Sequence, residues 1–179
     1  MLFTAANTSL LSLNSSRRKI LSFSFLANIA SAMASALYIV IGNPVFHQIV
    51  FGFFLLLSMI IAYINLKELE KKKINISKGL KPAYILKRTA AFFVGGFILW
   101  NIDNHFCEQL IWLRSFTVFP FNGIFQFHLW WHVFTAIGAA NGITGFLFIR
   151  LLQNDILCYV EDKYGFLPTL MFKKSQKSE

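Results

Sequence analysis

Between Lys19 and Lys67 the chain reads ILSFSFLANIASAMASALYIVIGNPVFHQIVFGFFLLLSMIIAYINL, residues 20–66, without a single Asp, Glu, Lys or Arg. A helix needs about 20 residues to cross a hydrocarbon core, so this run of roughly 47 holds two crossings. The break between them falls at Gly42-Asn43-Pro44, because proline cannot continue the preceding helix and biases Asn43 out of the α region. The pattern predicts helices over about 20–41 and 45–66. The first carries Ala30, Ser31, Ala32, Ala34, Ser35 and Ala36, and small side chains that let helix backbones approach predict a place inside a bundle.

The rest of the chain follows the same logic. Hydrophobic residues make up 56% of it and charged residues 14%, with a mean hydropathy of +0.56, whereas about a quarter of the residues in soluble domains are charged. Further segments are expected over 87–102 and 122–152. Residues 1–13 would rise only about 20 Å as a helix, so they resemble part of a crossing, and they lack the basic start of a signal peptide. The polar stretches 67–86, 103–121 and 153–179 are expected as two loops and a tail. The expected fold is therefore all-α: one transmembrane domain, a helical bundle of about four full transmembrane helices plus a truncated N-terminal one.

Basic residues orient this bundle. Arg17, Arg18 and Lys19 share a side with the 67–86 loop and with the tail that ends in Lys173, Lys174 and Lys177, while Arg114 is the only basic residue of the opposite side. The positive-inside rule makes the first side cytosolic, the C-terminus included, and 103–121 luminal. The formal net charge of +9 is explained by this placement beside apolar runs, which argues against nucleic acid as a partner. The two cysteines, Cys107 and Cys158, are too few for a disulfide framework.

Chemistry concentrates in Gln126-Phe127-His128-Leu129-Trp130-Trp131-His132, within an uncharged stretch from Ser115 to Ile149. Four-residue spacing puts His128 and His132 about 6 Å apart on one helix face, where two imidazoles can chelate one zinc ion. The pattern resembles the His-Glu-x-x-His helix of metalloproteases, with Leu129 in place of the general base. Polar groups are costly in such a span, which favours a metal site over two isolated hydrogen-bonding histidines. A bis-histidine haem needs ligands on opposite porphyrin faces, which one helix face does not provide. Zinc catalysis requires a third protein ligand; His47 and His105 map to the same side of the membrane, although neither has a spacing that argues for it. Asp103 could orient a histidine or contact a headgroup, or could simply bond local backbone. Trp130 and Trp131 suit an interfacial aromatic belt.

At these residues the chain resembles the alkaline ceramidases, seven-helix membrane amidases. The match rests on Phe97-Ile98-Leu99-Trp100-Asn101-Ile102-Asp103-Asn104-His105-Phe106-Cys107, on Phe127 to His132, and on Tyr164-Gly165-Phe166-Leu167-Pro168. The Trp-Asn-x-Asp-Asn variant is closer to the phytoceramidase branch. The resemblance implies hydrolysis of ceramide or phytoceramide to a sphingoid base and a fatty acid, with zinc on His128 and His132 and residence in the endoplasmic reticulum or Golgi membrane. It also implies that the family's first two helices lie upstream of Met1, together with its calcium site, third zinc histidine, catalytic Ser and Asp, and a disulfide partner for Cys107. The chain alone is then expected to show little or no turnover. The alternative is a non-catalytic truncated isoform or pseudoenzyme, a membrane interaction partner that pairs with a full-length relative through the small residues of segment 20–41.

Overall fold

A computed structural model describes residues 17–72, 79–118 and 120–172. The chain is mostly helical: α1 (Arg17–Ile41), α2 (Pro44–Lys71), α3 (Pro82–His105), α4 (Cys107–Ser115), a 3-10 helix (Phe121–Phe125) and α5 (Phe127–Gln153), followed by strands β1 (Cys158–Lys163) and β2 (Leu167–Phe172). The segment expected over residues 1–13 lies outside the described residues. Among those residues, three helical stretches are long and apolar enough to cross a membrane, Gln48–Lys71, Pro82–His105 and Phe127–Gln153, while Asn28–Ile41 is a shorter apolar stretch of α1.

Local chemistry sets the helix ends. Gly42 takes φ +64, and the Asn43 side chain accepts a 2.9 Å hydrogen bond from the Val45 amide ahead of Pro44 at the first helical position, a favourable start for α2. Lys67 and Glu70, expected in a loop, instead prolong α2 and pair at 3.0 Å, since both are good helix formers at i,i+3 spacing. Similarly, α3 begins at Pro82, ahead of the expected position 87. The stretch expected as a loop over 103–121 contains α4.

The tail departs most from the all-α expectation. Residues 158–172 form an antiparallel hairpin in which Cys158 faces Phe172 and Val160 faces Leu170. Its turn uses Tyr164 and Gly165, both with positive φ. One face is apolar: Cys158 and Val160 are buried with Leu69, Ile85, Phe148 and Leu152, so the hairpin folds because the ends of α2, α3 and α5 supply the core it lacks alone. Burial pushes the Cys158 thiol above its ordinary pKa, leaving it a small core hydrophobe. Gly79, at φ +85, lets the chain pass this sheet: a Cβ there would collide with the Val160 carbonyl oxygen, which accepts from the Leu80 amide at 2.8 Å.

The most extensive helix pairing joins α3 to α5. Glycines make it close: a Cβ on Gly138 would sit 3.2 Å from Phe93, on Gly142 3.3 Å from Thr89, and on Gly145 3.1 Å from Ile85. Such approach replaces side-chain volume by backbone contact, the usual basis of helix association where lipid removes the hydrophobic drive. Small residues thus act here, whereas Ala30, Ala32 and Ala36 on α1, expected inside the bundle, are exposed. Gly145→Val is expected to destabilise by about 1–3 kcal/mol through overpacking against Ile85, read as a lowered unfolding midpoint in detergent micelles; an unchanged midpoint would show that the helices can part without cost.

A polar hub ties these layers together. Arg88 donates from Nε to Asn141 Oδ1 at 2.6 Å and pairs through Nη1 with Asp162 at 2.6 Å. Asn141, fully buried, donates to the carbonyls of Ile137 and Phe166 at 2.8 and 3.0 Å. Strand, turn and two helices therefore meet on one guanidinium and one amide.

Candidate metal centre

The first two turns of α5 carry His128 and His132. Its N-cap residue, Gln126, makes no side-chain cap bond, so the preceding 3-10 helix sets where α5 starts. Arg114 on α4 holds that segment, donating to the Phe125 carbonyl from Nε at 3.1 Å and Nη2 at 2.8 Å. The same Nη2 reaches Asp103 on α3 at 3.1 Å. The Trp130 indole N–H adds a 3.0 Å bond to the Ile124 carbonyl.

His128 and His132 are both exposed, with ring centroids 4.9 Å apart and planes at 77°. One ion bound by both imidazoles at the usual Zn–N distance of about 2.0–2.1 Å puts the ring centres about 5 Å apart in tetrahedral geometry. The centroid spacing therefore matches that of two ligands of a zinc site. Trp131 lies against both rings, 5.3 Å from His128 and 4.4 Å from His132, and backs onto Trp100 at 6.4 Å. This aromatic wall covers one side of the pair.

The other predicted residues are placed differently. His105 Nδ1 lies 2.9 Å from the Asn101 carbonyl one turn back, and the His47 side chain is outside the described residues. Among the described residues Asp103 engages Arg114 and no histidine. Among the described residues no group of three or more His, Cys, Asp or Glu side chains converges on one point. Cys107 is exposed and Cys158 buried, both as free thiols.

A groove of about 470 Å³ opens beside His132, between α2, α3 and α5. Phe51, Leu55, Met59, Phe93, Ala136 and Phe146 are among its lining residues. From His132 to Phe146 it follows α5 for about 21 Å at 1.5 Å per residue. Thr89 also lines it, with its hydroxyl donating to the Ile85 carbonyl at 2.9 Å. An apolar slot that includes His132, whose ring lies 4.9 Å from that of His128, can hold an aliphatic chain and bring a polar group near the imidazoles. Sequence reasoning missed Arg114 as part of this site: it had counted only as a charge that orients the membrane. Its isolation on an otherwise unbasic side was the available signal.

The family model described as Ceramidase matches residues 1–168. The chain is 30% identical over 150 residues to alkaline ceramidase 3 of Mus musculus, covering 82% of this chain and 52% of that protein. It is 26% identical over 159 residues to an alkaline ceramidase of Saccharomyces cerevisiae, covering 84% of this chain and 48% of that one. The chain thus spans about half the length of the curated relatives it matches.

Proposed function

Since the chain belongs to the ceramidase family, we propose that it takes ceramide or phytoceramide as its lipid and bears two of the three protein ligands of a zinc amidohydrolase site, His128 and His132. The observation that carries this reading is the 4.9 Å imidazole pair at the mouth of the apolar groove that includes His132. Hydrolysis adds water across the amide, releasing a sphingoid base and a fatty acid. Zinc, when bound, supplies a Lewis acid and a nucleophile competent at neutral pH.

The chain's own residues bind and orient. Phe51, Leu55, Phe93 and Phe146 enclose an aliphatic tail, Trp131 excludes water beside the imidazoles, and the histidine nitrogens fix the reacting end. In the membrane α1 forms a fourth crossing, the C-terminus and 67–86 face the cytosol, and 103–121 faces the lumen of the endoplasmic reticulum or Golgi. That orientation is supported by Arg114 being the only basic residue of the luminal side.

Ceramide binding in detergent micelles tests the substrate class. Long-chain ceramide should displace a fluorescent analogue, and Ala136→Trp, which fills the groove, should weaken it about tenfold or more. Equal binding by the variant, or a preference for glycerol esters of the same chain length, sinks the reading. Sphingoid base release that requires both histidines marks the catalytic form. Ceramide held without release favours the second reading, a non-catalytic membrane partner of a full-length relative, for which the exposed Ala32 and Ala36 of α1, one turn apart, provide a close-packing face.

A further inference from the structure

We infer that Arg114, held by Asp103, is the positioning residue of the histidine pair, acting through the Phe125 carbonyl; this rests on the metal reading above. His128 is the second residue of α5, so its direction depends on how residues 121–126 enter the helix. Nothing in that helix start is self-sufficient. Gln126 provides no side-chain cap, and its carbonyl accepts from Leu129 at 3.0 Å and from Trp130 at 3.3 Å, a shared acceptor in a tight first turn. The entry is fixed from outside by the two bonds from Arg114 to Phe125 and from within α5 by the indole bond of Trp130 to Ile124.

Helix stabilisation does not explain a guanidinium at this point. The N-terminal end of α5 carries partial positive charge, so a cation beside it is disfavoured. Asp103 offsets that cost and aims the guanidinium, with Nη2 reaching its carboxylate at 3.1 Å while both Nη2 and Nε point to one backbone oxygen. A planar fork of N–H donors suits this task, and a lysine supplies only a point charge. Residues that hydrogen-bond a metal-binding imidazole directly typically cost about 10–100-fold in metal affinity when lost, and one that acts through the backbone falls at or below the lower end of that range.

The test is copper(II) titration of the chain in micelles, followed by affinity and by the electron paramagnetic resonance spectrum. Arg114→Gln should weaken binding by up to about tenfold and broaden the spectrum, because the imidazoles no longer share one geometry. Arg114→Lys should restore part of the affinity, and Asp103→Asn should shift it in the same direction as Arg114→Gln by less; these two variants decide the matter if Arg114→Gln does not fold. His128→Ala with His132→Ala is the reference. If that double substitution abolishes binding while Arg114→Gln and Asp103→Asn retain wild-type affinity and spectrum, the positioning role is overturned and the metal reading stands. If it leaves binding unchanged, the metal reading fails and the positioning role fails with it.

Discussion

Arg88→Ala should lower the stability of the chain by about 3–5 kcal/mol, the range for removing one partner of a buried ion pair. The side chain is only 9% exposed and pairs with Asp162, itself 23% exposed. Its loss strands the Asn141 side-chain oxygen in a fully buried position, adding an unsatisfied acceptor to a half-broken pair. Asp162→Asn should cost less, because that carboxylate is nearer to solvent and the amide retains an acceptor for Nη1. Denaturant titration in micelles reads both, and hydrogen exchange at the Leu80 amide, bonded to Val160, should accelerate with them as the hairpin lifts. An Arg88→Ala cost below about 1 kcal/mol would mean that the hub is solvated and the hairpin rests on its apolar face alone.

Replacing either His128 or His132 with alanine should reduce zinc affinity at least about 100-fold, since even residues that only support metal ligands cost 10–100-fold. The two losses should not add. Chelation depends on both rings, 4.9 Å apart, reaching one ion, so the first substitution removes most of what the pair provides. Competition titration with a chromophoric chelator checks this. Two independent and additive losses would instead describe separate, monodentate sites.

Legibility from the sequence varied with the kind of signal. The uncharged run 20–66 and the Gly42-Asn43-Pro44 break were readable because hydropathy and proline act locally. The histidine pair was readable because helical periodicity is enough to bring i and i+4 together. The hairpin was not: Glu161, Asp162 and Lys163 make the tail look polar, and its apolar alternation at Cys158 and Val160 is too short to stand out without the helix ends that cover it. Counting charges placed Arg88 and Arg114 by side of the membrane, but a count does not distinguish a solvated cation from one paired across 74 residues or one holding a carbonyl 11 residues away. Likewise, small residues on α1 drew attention that belonged to Gly138, Gly142 and Gly145, since composition does not say which face meets a neighbour.

The long span between Arg88 and its carboxylate also dictates an order of events during synthesis. At about 5–20 residues per second, the 74 residues that separate Arg88 from Asp162 take roughly 4–15 s to emerge. Throughout that interval α3 is inserted with a cation whose partner does not yet exist. The Asn65 contact to Gln153, 88 residues on, has the same dependence. Closure of this hub is therefore a C-terminal event: a nascent chain halted before residue 162 has its helices but lacks the Asp162 carboxylate that pairs with Arg88.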